Sequence, residues 1–291
     1  MSAVERVGVV GCGQVGAGFA EVCARAGLQV LVTVTSPASA DRGRQRIRRS
    51  LDRMVRRGKL TEDARDTVVA RVEFCTDLKQ LRDRDLVLEA AVERLSVKQE
   101  IFRTLDEVVD DPAAVLATTT SSFPIMKLAQ VTSDPGRVLG AHLFHPVPVM
   151  RLVELIGSLC TREATLSRAR SFLTDTLGKE VIDAEDRPGF VVNALLIPYL
   201  LSAVRMLECG TASAAEIDQC MKLGCSHPMG PLELADLIGL DVVVAISREL
   251  HEESKEPLHS PPSLLLRMLE AGLLGRKTGE GFHSYPQSPV P

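Results

Sequence analysis

His142 and Glu154 stand twelve positions apart in Gly140-Ala141-His142-Leu143-Phe144-His145-Pro146-Val147-Pro148-Val149-Met150-Arg151-Leu152-Val153-Glu154. An imidazole titrates near working pH and can take up and return a proton. A carboxylate on its other ring nitrogen fixes the tautomer and stabilises the imidazolium that forms. Upstream, Gly11-Cys12-Gly13-Gln14-Val15-Gly16 has the glycine spacing of a dinucleotide phosphate loop. Together these residues point to hydride transfer assisted by a base. Taken alone, a His at a strand end and a surface Glu are more often structural.

The elements around them support the chemical reading. Val7 to Val10 is a short apolar strand that runs into the glycine loop. Phe19, Val22, Cys23 and Ala26 recur at helical spacing, Gly27 closes that helix, and Leu28 to Val34 reads as a buried strand. Strand-like runs return at Asp85–Ala90, Ala114–Thr118, Val138–His142 and Lys179–Ile182, with helical segments between most of them. This alternation predicts an α/β fold, a doubly wound Rossmann-type sheet. Arg187-Pro188-Gly189-Phe190 punctuates the chain, and helical periodicity follows over Val191–Leu207, Ala214–Leu223, Leu232–Leu250 and Ser263–Leu274. The expected organisation is a dinucleotide-binding domain over residues 1–186 and an all-α domain over 187–291. Pro286 to Pro291 reads as a frayed tail.

The glycine loop follows a strand and opens a helix, the context that gives the motif meaning. Gly11, Gly13 and Gly16 allow a tight turn, and the amides around Gln14 and Val15 can approach a pyrophosphate. Such sites usually end their second strand with an acid that binds the adenosine ribose hydroxyls. Here that position is Val34, which accepts no hydrogen bond. Thr35, Ser36, Arg42 and Arg44 lie just beyond and could receive a 2′-phosphate. NAD(H) is the first expectation and NADP(H) the alternative.

The motifs resemble those of the 3-hydroxyacyl-CoA dehydrogenase family along nearly the whole chain. The stretch from His142 to Glu154 is similar to the family's HFFNPVPVMKLVE, which implies His142 as catalytic base and Glu154 as its orienting acid. Thr118-Thr119-Thr120-Ser121-Ser122 resembles TNTSS and implies that Ser121 bonds the substrate oxygen. Pro188-Gly189-Phe190-Val191-Val192-Asn193 resembles PGFxxN and implies Asn193 in the catalytic group. Leu88 to Glu93 with Lys98 resembles a cofactor-contacting segment, through Glu93 and Lys98. His227 to Asp236 and Gly275 to Phe282 resemble signatures of the family's second domain, with Lys277 a further cofactor contact. His145 replaces an Asn that the family places beside the nicotinamide. The resemblance implies a homodimer joined through helical domains, and apolar helix faces too extensive for a small domain to bury alone agree.

Between residues 41 and 60 lie Arg42, Arg44, Arg46, Arg48, Arg49, Arg53, Arg56, Arg57 and Lys59, in a chain of net charge −4. Most such runs are solvated helix faces. The resemblance implies coenzyme A contacts at Ser50 and Arg57, the latter a Lys in the family. The same surface suits an acidic acyl carrier protein. Nucleic acid is disfavoured: the chain has no Trp and only two Tyr to stack on bases. Seven cysteines without a CxxC, and no signal peptide, predict reduced thiols in a cytoplasmic protein. The apolar run Phe190–Val204 is too short and too interrupted to span a membrane. The HxxH pair His142/His145 does not match a zinc pattern, and no metal is expected.

The resulting expectation is a dehydrogenase of short-chain (S)-3-hydroxyacyl-CoA thioesters, an activity of fatty acid metabolism. The alternatives are a relative acting on a carrier-bound hydroxyacyl group, such as a glyceryl thioester bound for a polyketide extender unit; a dehydrogenase of free sugar acids or polyols; and a non-catalytic nucleotide-binding homologue.

Overall fold

The valine-rich runs near the N-terminus are covered on both faces, as the central strands of a parallel sheet require: Val7, Val9 and Val32 are fully buried. A computed structural model describes residues 4–121 and 123–285. The strands are β1 (Arg6–Val10), β2 (Gln29–Thr33), β3 (Val72–Cys75), β4 (Leu86–Glu89), β5 (Val115–Thr118), β6 (Val138–Leu143), β7 (Leu152–Gly157) and β8 (Glu180–Ala184). They form one sheet in the order β3-β2-β1-β4-β5-β6-β7-β8. All neighbours are parallel except β6 and β7, which run antiparallel.

Helices α1 (Gln14–Arg25), α2 (Pro37–Arg56), α3 (Glu62–Ala70), α4 (Leu95–Val108), α5 (Met126–Ala129) and α6 (Glu163–Ser171) connect the strands. The chain builds the sheet outward from β1 in one direction, then restarts at β4 on the other side. That reversal opens a crevice at the carboxyl ends of β1 and β4, where doubly wound sheets bind their ligands. The fold is Rossmann-type. Two strands escaped the sequence reading. β3 is a short edge strand, and β7 carries Glu154 at the centre of its apolar run.

The contact pattern divides the chain into a first unit ending at Arg187 and a second beginning at Pro188. The second unit holds α7 (Val192–Glu208), α8 (Ala214–Gly224), α9 (Pro231–Ile238), α10 (Leu240–Ser254) and α11 (Ser263–Glu270). The periodicity over Leu232–Leu250 suggests one helix, but Gly239 at φ +103° ends α9 and starts α10. Leu200, Leu201, Val204, Leu232, Leu240 and Val243 form the core of this unit.

Two buried acids explain the second-domain signatures. Asp218 accepts from the amides of Leu232 and Glu233 at 2.8 and 3.0 Å and bonds His283 Nε2 at 2.7 Å. Asp236 accepts from the amides of Phe282 and His283 at 3.0 and 2.9 Å and from the Tyr285 hydroxyl at 3.1 Å. A side chain on Gly281 would collide with Asp236, and one on Gly230 with Asp218. Among the described residues no helix is long and apolar enough to cross a membrane. The expected tail, Pro286 to Pro291, lies outside the described residues.

Candidate active site

The glycine loop has the shape its spacing predicts. Gly11 leaves β1 at φ +93°, where a Cβ would fall 2.6 Å from the Ala90 carbonyl oxygen. A Cβ on Gly16 would run into the Gly11 carbonyl, whereas one on Gly13 would meet nothing within 4 Å. The outer side of the loop is therefore open. Gly13 is the N-cap of α1 and offers no side-chain cap. The first amides of that helix, from Gln14 and Val15 on, are left to an anion such as a pyrophosphate. Arg46 braces the loop from α2 by donating to the Cys12 carbonyl at 3.0 Å. Burial pushes the Cys12 thiol up to about 11, so it fills space as an inert thiol.

Val34 follows β2 with its side chain in the core, and its amide donates to the Cys75 carbonyl at 3.0 Å. Beyond it, Ser36 caps α2 and accepts from the Ser39 amide at 3.2 Å. The Ser36 and Ser39 hydroxyls lie 3.1 Å apart, and Arg42 donates to Ser39 Oγ at 2.7 Å. Arg44 is engaged elsewhere, with Asp41 at 3.1 Å and over the Phe74 ring.

On the other side of the crevice a buried network joins β4, α4 and β5. Lys98 is 1% exposed and donates to both oxygens of the fully buried Glu89 at 2.9 Å. Its ammonium also lies 3.1 Å from Glu93. Glu89 accepts in addition from the Ala91 amide and the Thr118 hydroxyl, each at 2.7 Å. Thr120 donates its hydroxyl to Glu93. The outward-facing member of the network is Glu93. Sequence reasoning missed Glu89, Thr118 and Thr120; a carboxylate ending an otherwise apolar strand was the available signal.

His142 and Glu154 are direct cross-strand partners in the antiparallel β6–β7 pair. Their spacing of twelve is thus a register position. His142 Nδ1 lies 2.6 Å from Glu154 Oε2, and both residues are buried. To a carboxylate, Nδ1 donates, which leaves Nε2 as the ring atom able to accept a substrate proton. Phe144 packs edge-on against the imidazole with centroids 4.7 Å apart. β5 pairs with β6 through Thr118 and Gly140, so Ser121 and His142 leave neighbouring strands at the same carboxyl edge. Asp186 holds the turn after Ser121 by accepting from the amides of Ile125 and Met126 at 2.6 and 3.0 Å.

The remaining site candidates divide between two places. A cleft of about 200 Å³ is lined by α1 (Gln14, Ala17, Gly18, Glu21), α2 (Arg46, Arg49, Ser50, Arg53) and the segment from His145 to Pro148. His145, exposed at its mouth, is pulled below the ordinary imidazole value by partial desolvation and then by the charge of Arg53. Glu21 is 1% exposed, and its Oε1 has no hydrogen-bond partner. Burial raises its pKa against the opposing pull of Ser50, Arg25 and Arg53. Arg57 ends α2, exposed. Asn193 and Lys277 belong to the helical unit: Asn193 is buried near the start of α7, and Lys277 pairs with Asp241. Among the described residues no group of three His, Cys, Asp or Glu side chains is placed to hold a metal.

A phosphate loop open at the switch point, with a histidine–carboxylate pair in register three strands away, defines a dehydrogenase of the dinucleotide-binding class. Comparison with known proteins gives the family. Residues 6–187 match the NAD-binding domain of 3-hydroxyacyl-CoA dehydrogenase, and residues 189–285 match its C-terminal domain. The chain belongs to the 3-hydroxyacyl-CoA dehydrogenase family. It is 55% identical over 283 residues to a 3-hydroxybutyryl-CoA dehydrogenase of Mycobacterium tuberculosis, covering 97% of this chain and 99% of that one. The crystal structure of M. tuberculosis FadB2 superposes with a TM-score of 0.97 at 55% identity, covering 98% of this chain and 100% of that one. That of (S)-3-hydroxybutyryl-CoA dehydrogenase from Ralstonia eutropha superposes with a TM-score of 0.93 at 43% identity, with coverage of 98% and 100%.

Proposed function

We propose that this protein interconverts a short-chain (S)-3-hydroxyacyl-CoA and its 3-oxoacyl form. The observation that carries the proposal is the His142–Glu154 pair, 2.6 Å apart in register on adjacent strands. His142 Nε2 takes the C3 hydroxyl proton, and Glu154 holds the ring and offsets the positive charge that develops on it. Ser121 and Asn193 orient the substrate oxygens. The loop from Gly11 to Gly16 and Glu93, steadied by Lys98, hold the dinucleotide, with His145 and Lys277 as further contacts. A nicotinamide held by these residues would supply the acceptor or donor of the C3 hydride. Ser50 and Arg57 on the basic face of α2 receive the phosphates of coenzyme A.

NAD(H) is the cofactor we propose, bound chiefly through its pyrophosphate and nicotinamide because Val34 offers nothing to the ribose. NADP(H) is the alternative, favoured by the Ser36–Ser39–Arg42 cluster next to Val34. The helical units of two copies form a homodimer. Leu195 at 73% and Leu223 at 74% exposure are apolar surface that such an interface would cover. The seven cysteines are free thiols, which supports a reducing, cytoplasmic setting.

Reduction of acetoacetyl-CoA, followed with NADH and NADPH in parallel, tests the proposal. Strong turnover is expected, and His142→Gln should lower it by about 10²–10⁴ without unfolding the protein. A variant that keeps most of the rate would remove His142 from the chemistry. Turnover confined to a carrier-bound thioester would move the substrate assignment to that class.

A further inference from the structure

We propose that Lys179 is a positioning residue of the dehydrogenase site, holding the segment between His142 and Glu154 in place. The inference rests on the reading of His142 as the base. Lys179 is 8% exposed and follows Gly178 at the entry to β8. Its Nζ donates to the Val147 carbonyl at 2.6 Å and to the Met150 carbonyl at 2.8 Å. Both belong to residues 144–151, the connection from β6 to β7. The two acceptors are neutral, and among the described residues no carboxylate forms an ion pair with this buried cation. Burial and then the charge of Arg25 pull its pKa below the usual lysine value.

A second contact grips the same segment at Val147. Val147 is 1% exposed, and a Cβ built on Gly18 would fall 2.8 Å from the Val147 Cβ, so α1 lies directly against it. Immediately before the gripped Val147, the segment presents His145 and Pro146 to the cleft beside α1 and α2. The His142–Glu154 pair is fixed by strand register and does not depend on Lys179. Lys179 therefore sets the wall of the site that carries His145, leaving the base and its partner unchanged.

This division gives a specific test. Lys179→Met keeps the apolar stem and removes the donors; Lys179→Arg keeps donors. The Met variant is expected to lose between about ten- and a hundredfold in kcat per folded molecule. The KM for NADH should rise, and the limb of the pH–rate profile set by His142 should stay in place. The Arg variant should recover most of the loss. A role confined to folding would lower Tm and leave kcat and KM per folded molecule at wild-type values, and that result would overturn the proposal. So would equal impairment of the Met and Arg variants. Should the Met variant not fold, Lys179→Gln, too short to reach both carbonyls, carries the same comparison. An active His142→Gln enzyme would sink the underlying mechanism; an inactive one beside an unaffected Lys179→Met would sink only the role of Lys179.

Discussion

At the scale of single residues, two departures from the usual chemistry can be read as energies. Val34 stands where a carboxylate would accept from a ribose hydroxyl, and its side chain packs into the core. Val34→Asp should lower the KM for NADH about tenfold, the worth of one charge-assisted hydrogen bond of ~1.5 kcal/mol, and raise that for NADPH. Unchanged constants would mean that the ribose does not reach this position. Glu21 is the second. Its raised folded pKa means that the native state holds the proton more tightly than the unfolded chain. The stability lent by the protonated acid is present below the unfolded pKa and is lost as pH rises through the folded one. Glu21→Gln should therefore raise Tm near about pH 8 and change it little near about pH 4. Thermal melts at both pH values decide it, and an equal shift at both would refute the account.

Elements explain why some of the site was legible and some was not. The glycine loop and the His142–Glu154 spacing are local signals, readable because they sit on contiguous chain. β7 is hard to read as a strand, because Leu152-Val153-Glu154-Leu155-Ile156 is a short apolar run with an acid at its centre. The Glu89 network could not be read, since it joins strand ends and a helix from three stretches of sequence. Lys179 was equally hidden, because its partners are main-chain carbonyls that carry no residue identity. The Glu89–Lys98 pair fastens β4 to α4, and Thr118 adds β5. Glu89→Gln leaves a buried ammonium whose counter-charge among the described residues is Glu93, and should destabilise the fold by roughly 3 kcal/mol. Denaturant unfolding measures this, and a loss well under 1 kcal/mol would mean that Glu93 suffices.

At the scale of the whole molecule, the prediction concerns assembly. If the helical units pair, the chain sediments as a dimer, and Leu195→Asp, which puts a charge on exposed apolar surface of α7, shifts it toward monomer. A wild-type monomer across working concentrations would leave Leu195 and Leu223 exposed for another reason. The two units part where the hydropathy period changes from strands with intervening helices to helices alone, near Arg187-Pro188. The expectation of a homodimer rests on the family resemblance, with only the apolar helix faces to support it from the residues themselves.

The antiparallel joint between β6 and β7 gives the site something like a reading frame. Side chains alternate faces along a strand, so His142 and Glu154 meet only while the two strands stay in step. One residue inserted within either strand ahead of its member of the pair would turn that side chain to the opposite face of the sheet, though composition and charge hardly change. Two inserted residues would restore the face but displace the partner along the strand. The acid–base pair is therefore far more exposed to small insertions and deletions than to substitutions around it, and length is the constraint that a redesign of these strands has to respect first.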